Sequence, residues 1–166
     1  METLYYSRMN SPVGKLFLGV SSRGLTFLEF DRGVFPTAGS PKGKLGWVES
    51  PEKTRRYARE LEEYFAGKRQ EFSFSLDLRG TDFQKRCWEA LLGIPYGQTK
   101  SYAEIARAVG RPGACRAVGQ ANHRNPLAIV VPCHRVITSQ GGLGGYGGGL
   151  EVKRHLLRLE GAQGSF

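Results

Sequence analysis

Short alternating runs of apolar residues predict that the chain begins as an antiparallel meander. Three β-rich runs cover residues 3–7, 15–20 and 25–30. Two turn sequences, Ser11-Pro12-Val13-Gly14 and Ser21-Ser22-Arg23-Gly24, separate them. Gly and Pro in such positions favour tight connections between neighbouring strands. We therefore expect the first three strands to pair in sequence order.

The next segment is predicted to be a long loop followed by one helix and a last strand. Residues 31–48 are rich in Gly and Pro and show no apolar periodicity. From Pro51 to about Ala66, apolar residues recur at helical spacing between charged residues, which predicts an amphipathic helix on the sheet. Residues 72–76 then alternate as a strand, and residues 78–80 mark the predicted boundary between a domain over residues 1–80 and another over residues 81–166.

The second domain is predicted to be mostly helical. Thr81 with Gln84 forms a capping-box pattern, and so does Ser101 with Glu104, so a helix is expected to begin at each. The first helix places Cys87 on its apolar face, where a structural role is expected. After residues 110–112, a third helix is predicted from Pro112 to about Asn122, because Pro suits a first helical turn. Two short helices joined by a tight turn are typical of a helix-turn-helix.

The candidate chemistry lies in the last forty residues of the chain. An apolar run over residues 127–131 predicts a buried strand that leads to Cys133 and His134. A cysteine near neutral pH is only weakly ionised, so an adjacent imidazole that takes its proton makes it a usable nucleophile. A glycine-rich loop over residues 141–149 follows, and a helix over residues 150–159 is predicted to end beside Glu160.

Composition and charge favour an intracellular protein that binds a polyanion. The chain carries a net charge of +9, and residues 81–166 hold 11 Lys and Arg against 5 Asp and Glu. Such an excess favours nucleic acid before an anionic membrane. No apolar run of about 18 residues and no signal-peptide pattern is present, so we expect a cytoplasmic protein without membrane association. Three cysteines without paired spacing argue against a disulfide scaffold or a zinc ribbon.

The predicted third helix has the composition of a helix that reads DNA. Ala114, Ala117 and Gly119 are small enough for a close backbone approach to DNA, and Arg116 can reach phosphate or enter the base stack. The same small residues also permit helix packing without DNA. The sequence alone leaves both interpretations open.

Taken together, these motifs resemble the O6-alkylguanine-DNA alkyltransferase family. The resemblance covers about residues 81–161, and residues 11–14 are similar to the N-terminal domain of the family. It implies an α+β chain with a small antiparallel sheet-and-helix N-terminal domain and a mostly helical, winged-helix-like C-terminal domain. It also implies irreversible transfer of an alkyl group from O6-alkylguanine in double-stranded DNA to a cysteine of the protein, after base flipping and without a cofactor or metal. We expect a monomer.

The resemblance also implies a role for each candidate residue. Cys133 matches the alkyl acceptor, His134 the base that deprotonates it through a bridging water, and Glu160 the carboxylate that orients the imidazole. Asn125 matches the residue that holds the cysteine loop, and Tyr102 the phenol that protonates the departing guanine. Three further matches complete the site: Arg116 as the residue that enters the base stack, Val136 as a backbone group that reads the guanine edge together with Cys133, and Tyr146 with Gly147 as the pocket wall.

Three other functions compete with this interpretation of the sequence. A damage sensor that binds the lesion without chemistry would carry Trp in place of Cys133. A helix-turn-helix regulator would make Cys133, His134 and Glu160 incidental. A Cys-His hydrolase needs direct contact between thiol and imidazole, and neighbouring side chains of an extended segment point to opposite sides.

Overall fold

The N-terminal part of the computed structural model is a four-stranded mixed sheet with one helix packed on it. The structure describes residues 2–31, 33, 45–164 and 166. The strands are β1 (Glu2–Met9), β2 (Leu16–Ser21), β3 (Gly24–Phe30) and β4 (Leu45–Glu49), in the sheet order β3-β2-β1-β4. The pairs β1–β2 and β2–β3 are antiparallel, as the turn sequences predict, whereas β4 runs parallel to β1. The sheet is therefore mixed rather than purely antiparallel.

Two predictions for this region are wrong. All but the last residue of strand β4 lies inside the predicted loop, of which residues 32 and 34–44 fall outside the described part of the chain. Trp47 of β4 packs its ring across the sheet against Phe17 of β2 and Phe27 of β3, which accounts for a strand in a sequence of weak periodicity. The strand predicted over residues 72–76 is reduced to a single parallel bridge between Leu25 and Leu76.

Helix α1 (Pro51–Phe65) packs against β1 and β2. Ser50 caps it by accepting a hydrogen bond from the Lys53 amide at 3.2 Å, and proline occupies the first turn. Leu61 and Tyr64 are fully buried on the face toward the sheet. The apolar spacing thus predicted both the position and the packing of this helix.

The remaining residues form a second compact unit, so the chain divides into Met1–Arg79 and Gly80–Phe166. Its helices are α2 (Asp82–Leu92), α3 (Tyr102–Ala108), α4 (Cys115–His123) and α5 (Leu150–Leu159). Two short strands, β5 (Lys100–Ser101) and β6 (Val136–Ile137), pair in parallel. Helices α2, α3 and α4 pack on one another, and the Trp88 indole donates to the Ala121 carbonyl at 2.9 Å. The α3–α4 pair has the order and lengths of the predicted helix-turn-helix.

Local capping determines where α2 and α3 begin. Thr81 and Gln84 exchange both hydrogen bonds of a capping box, at 3.0 and 3.1 Å. Ser101 accepts from the Glu104 amide at 3.1 Å, while the Glu104 carboxylate lies 3.7 Å from Lys100 Nζ. Helix α4 begins three residues later than predicted, because residues 111–114 form a turn closed by a hydrogen bond from the Ala114 amide to the Arg111 carbonyl.

The apolar run before Cys133 is buried but is not a strand. Residues 127–131 form tight turns, closed by a hydrogen bond from the Val131 amide to the Leu127 carbonyl at 2.9 Å. Ile129 has a φ of 73°, a left-handed conformation that is strained for a β-branched side chain. Burial and hydrophobicity alone do not separate a buried strand from a buried turn.

Among the described residues, no helix has the length and apolar character needed to cross a membrane.

Candidate active site

The Cys133 thiol lies at the start of a 3₁₀ turn, Cys133–Arg135, and is held there by one amide. Asn125 Nδ2 donates to the Val131 carbonyl at 2.9 Å and to Cys133 Sγ at 3.3 Å. Asn125 Oδ1 accepts from the Leu127 amide at 2.9 Å. One half-buried side chain therefore closes the turn and points a hydrogen-bond donor at the sulfur.

The thiol is protonated at rest and needs a base. Only 9% of Cys133 is exposed, and burial raises the pKa of its thiol. The hydrogen bond from Asn125 and the positive charge of Lys153 act in the opposite direction. These two groups favour the thiolate once a proton has been removed.

The imidazole of His134 is fully buried and bonds to Glu160 at the C-terminal end of α5. His134 Nε2 lies 2.8 Å from Glu160 Oε2. Arg135 holds the same carboxylate in two places, with Nε 2.8 Å from Oε1 and Nη2 2.9 Å from Oε2. Burial would raise the pKa of Glu160, but the hydrogen bonds from His134 and Arg135 outweigh it and bring that pKa to about 2. Glu160 is therefore ionised at neutral pH.

This ionisation determines which imidazole nitrogen carries the proton. An ionised carboxylate only accepts hydrogen bonds, so Nε2 must be the donor and Nδ1 must keep its lone pair. Burial lowers the pKa of His134, which keeps the ring neutral although Glu160 acts in the opposite direction. Nδ1 has no hydrogen-bond partner among the described residues. His134 is thus a neutral base with its basic nitrogen available.

Lys153 is a second buried cation, and the sequence analysis missed it. Its ammonium donates to the carbonyls of Val136 at 2.6 Å, Gly145 at 3.2 Å and Leu143. It therefore ties the glycine-rich loop to strand β6. Burial lowers the pKa of Lys153 to about 8, and the nearby Cys133 thiolate would raise it.

Tyr102 faces Cys133 from the first turn of α3. Burial raises the pKa of its phenol, and the charge of an ionised Cys133 raises it further, so the hydroxyl keeps its proton. A backbone hydrogen bond from Gly145 reaches this phenol. A Cβ on Gly144, whose φ is 70°, would lie 2.8 Å from the Tyr102 hydroxyl oxygen. Glycine at position 144 is therefore required for the loop to approach the tyrosine.

Cys133 and Tyr102 line a cavity of about 630 Å³, which is within the usual range for a small-molecule site. Helix α4 forms one wall and the glycine-rich loop forms another. The lining residues are Tyr102, Cys115, Arg116, Gly119, Asn122, His123, Cys133, Gly145, Tyr146 and Gly147. Burial raises the pKa of Tyr146 well above its usual range, so this phenol is also neutral.

The predicted DNA-binding residues fall into two groups. Arg116 and Gly119 line the cavity, whereas Ala114 and Ala117 do not. Ala114 is the N-cap of α4, and Ala117 is half-buried on the same helix. Arg116 is exposed and forms no hydrogen bond or ion pair with another described residue, so its guanidinium is available to a ligand.

The structure places Val136, a predicted pocket residue, away from the cavity surface. It is fully buried in β6 and does not line the cavity. Its amide donates to the Cys133 carbonyl, and its own carbonyl accepts from Lys153. The predicted contacts of these backbone groups with a guanine edge would therefore be additional hydrogen bonds to oxygens that already accept one.

One correction concerns the backbone at Cys133 and His134. The Cys133–His134 segment is a 3₁₀ turn and not the extended segment on which the argument against a hydrolase relied. Even so, no hydrogen bond joins thiol and imidazole in the described structure, because Nε2 is directed to Glu160.

Across the described ranges, no cluster of three or more His, Cys, Asp or Glu residues is arranged to hold a metal ion.

Sequence reasoning missed Arg135 and Lys153 because charged residues are expected at the surface. A signal for Arg135 was present. Glu160 was predicted to be held at a helix end, and a carboxylate held in that place needs a hydrogen-bond donor as partner. No comparable signal existed for Lys153, whose three acceptors are backbone carbonyls distributed over ten residues.

A two-domain chain with a buried thiol, a His-Glu pair and a helix-turn-helix beside the thiol defines the class of DNA alkyltransferases. Two family descriptions match it: "6-O-methylguanine DNA methyltransferase, ribonuclease-like domain" over residues 4–78, and "6-O-methylguanine DNA methyltransferase, DNA binding domain" over residues 82–162. The chain belongs to this family of methylated-DNA-protein-cysteine methyltransferases.

Individual relatives agree over nearly their whole length. A methylated-DNA-protein-cysteine methyltransferase of Methanosarcina barkeri is 47% identical over 95% of this chain and 97% of its own. The crystal structure of the Mycobacterium tuberculosis O6-methylguanine methyltransferase is similar with a TM-score of 0.85 and 48% identity, covering 95% of this chain and 93% of that one. A structure of the Mycobacterium tuberculosis protein OGT in complex with DNA has a TM-score of 0.84 and 48% identity, covering 96% and 92%.

Proposed function

We propose that this protein repairs double-stranded DNA by moving the alkyl group of an O6-alkylguanine to Cys133 Sγ, once per protein molecule. The observation that carries the proposal is the position of the thiol. It lines a cavity of a size suited to a nucleobase and accepts a hydrogen bond from Asn125. The next residue, His134, is a neutral base. We also expect the protein to act as a cytoplasmic monomer.

The proposed step is a single displacement at a saturated carbon. His134 Nδ1 takes the thiol proton through a bridging water, which leaves a thiolate next to the Asn125 amide and the Lys153 charge. The sulfur attacks the alkyl carbon, a C–S bond forms, and the C–O6 bond breaks with its electron pair going to the guanine. Tyr102 donates a proton or a hydrogen bond to that guanine, which makes it a better leaving group. The product is a thioether, so the thiol is not regenerated.

The glutamate and arginine beside His134 stabilise the charged state that follows proton transfer. When Nδ1 takes a proton, the imidazolium faces the ionised carboxylate at 2.8 Å. Arg135 keeps that carboxylate ionised and in place. A buried cation next to a buried anion needs less reorganisation than one created in apolar surroundings. The arrangement therefore allows a neutral base of lowered pKa to act at neutral pH.

Helix α4 would bring the DNA to this cavity. Its exposed Arg116 lies at the cavity, where a side chain inserted into the duplex would occupy the space left by a flipped base. Base flipping requires a few kcal/mol, roughly, part of which such an insertion offsets. Gly119 adds no side chain between the helix and Tyr102.

The test is intact-mass and peptide mass spectrometry after mixing the protein with a stoichiometric duplex that contains one O6-methylguanine. We expect a gain of one CH2 on the peptide that contains Cys133 and restoration of guanine in the DNA. Cys115→Ala is the matched control, because this second thiol lines the same cavity and the variant should still gain the group. Cys133→Ala should gain nothing. Tight binding without any mass change would instead indicate a damage sensor and contradict the proposal.

A further inference from the structure

Helix α4 directs one face to the cavity, and this face contains a polar residue without an assigned role. Its members recur every three or four residues and are Cys115, Arg116, Gly119, Asn122 and His123. Arg116 and His123 are exposed at the solvent side of the face, whereas Asn122 is partly buried. Asn122 is therefore the member of this face that carries an amide into the cavity wall.

The amide of Asn122 has no hydrogen-bond partner in the described structure. Both Oδ1 and Nδ2 are buried, and neither is bonded to any described residue. Asn125, only three residues further along, makes three hydrogen bonds with its amide. Buried polar groups are nearly always paired, because an amide without a partner destabilises the folded state. The exception at Asn122 indicates a group kept for a ligand.

The geometry of the helix places this side chain in the cavity wall. Side chains in a helix lean toward its N-terminus, so Asn122 lies over the turn that contains Gly119. Gly119 has no side chain to cover that turn. Tyr102 lies opposite, with its Cε1 3.9 Å from where a Cβ of residue 119 would be. The side chain thus belongs to the cavity wall that Tyr102 and Cys133 complete from the other side, although its two amide atoms are themselves covered. A change of rotamer, which is common when a partner binds, would bring the amide to a bound ligand.

We propose that Asn122 is a specificity-determining residue whose amide hydrogen-bonds the alkylated guanine base in this cavity. The inference rests on the proposed function. An amide offers one acceptor and two donors, and the edges of a purine carry both kinds of group. The base is a better candidate than the phosphodiester because the amide atoms are buried, while the exposed Arg116 and His123 are nearer to where phosphates would pass. A site built in this way rejects ligands that leave its polar group unpaired.

This role predicts a combination of effects that a structural residue would not give. In Asn122→Leu, the alkyl-transfer rate constant should fall about tenfold, the equivalent of one lost hydrogen bond. The free energy of unfolding should stay unchanged or rise, because an amide that lacks a partner has been replaced by an apolar side chain of similar size. A structural asparagine would lose stability together with activity. Gln120→Leu is the matched control, because Gln120 is an exposed amide on the same helix that does not line the cavity.

The experiment measures second-order rate constants with a duplex containing O6-methylguanine and with free O6-methylguanine base, plus urea unfolding of each variant. We expect Asn122→Leu to be slower on both substrates and no less stable, with Gln120→Leu like the parent. A defect confined to the duplex would show that Asn122 contacts the backbone and overturn the proposal. Unchanged rates, or a parallel loss of stability, would also overturn it.

A binding measurement separates failure of this inference from failure of the proposed function. The affinities of Cys133→Ala and of the double variant Cys133→Ala, Asn122→Leu are measured for two duplexes. One duplex contains a single O6-methylguanine, and the other has guanine at the same position. Loss of most of the lesion preference in the double variant supports the assignment even if the parent transfers no alkyl group. If the double variant keeps the full lesion preference, the assignment of Asn122 is overturned while the proposed alkyl transfer is not. If Cys133→Ala itself shows no preference for the lesion, the assignment of Asn122 is overturned as well.

Discussion

The buried triad of His134, Arg135 and Glu160 allows stability and catalysis to be perturbed separately. Removing the charge of Glu160 leaves Arg135 buried without a counter-ion, and removing Arg135 leaves the buried carboxylate of Glu160 without its arginine partner. The variants are Glu160→Gln, Arg135→Met and the two combined. The double variant restores charge balance, so its loss of stability should be much smaller than the sum of the single losses.

The magnitude follows from the pKa of Glu160. A folded value of about 2 against an ordinary 4.5 corresponds to about 3 kcal/mol of stabilisation at pH 7. The Glu160 side chain is fully buried, so solvent screening does not reduce this figure. Because the folded pKa is depressed, the contribution is present above pH 4.5 and disappears as the pH falls toward 2. Glu160→Gln should therefore lose about 3 kcal/mol at pH 7 and progressively less below pH 4.5.

The assay is urea unfolding of the four proteins followed by circular dichroism at several pH values, with alkyl transfer measured in parallel. We expect a coupling free energy on the order of 2 kcal/mol between the two positions. The double variant should remain slow in alkyl transfer, on the order of tenfold or more, because a neutral amide does not stabilise the imidazolium of His134. Additive losses at positions 135 and 160, or a Glu160→Gln variant as stable as the parent at pH 7, would refute the reasoning.

Three further predictions concern residues at or next to the cavity. The pKa of Lys153 is about 8 in the folded protein against an ordinary 10.5. Between these two pH values the unfolded chain binds more protons than the folded protein, so the stability of the folded state rises with pH. The free energy of unfolding of the parent, relative to that of Lys153→Met, should therefore rise by about 3 kcal/mol over this range. The transfer rate should fall over the same range, as the charge beside the thiolate is lost. Gly144→Ala should lower the free energy of unfolding by about 1–3 kcal/mol and slow transfer, since it combines a positive φ with a contact against Tyr102. Arg116→Ala should slow transfer from a duplex but not from the free base, as measured by single-turnover kinetics.

Matched variants serve as controls for the predictions on Gly144→Ala and Arg116→Ala. Gly145→Ala should change the free energy of unfolding by less than about 0.5 kcal/mol, because its Cβ would meet no atom within 4 Å. Arg124→Ala, exposed at the C-terminal end of α4, should weaken DNA binding and reduce its salt dependence without a specific effect on transfer. Equal effects of Gly144→Ala and Gly145→Ala would contradict the close approach to Tyr102. Equal effects of the two arginine variants on transfer would contradict the insertion of Arg116.

Local sequence signals predicted the elements that local interactions stabilise. The capping residues Thr81 and Ser101 identified where α2 and α3 begin, and apolar spacing identified α1. The hydrogen bonds that define a helix and its cap join residues within about four positions, so a short window of sequence contains the information. The adjacent Cys133 and His134 were visible for the same reason. The assigned roles of the site residues stay predictions until the variants are measured.

Tertiary structure alone decided the features that depend on distant partners. Strand β4 exists because β1 offers it a parallel edge, and the apolar run before Cys133 turns rather than extends because Asn125 closes it. Burial of Arg135 and Lys153 could not be read from their neighbours in sequence, since each charge is stable in the interior only where distant acceptors converge on it. The sequence by itself determined which residues can do the chemistry. The fold determined the environment that keeps the thiol protonated, the imidazole neutral and the carboxylate charged.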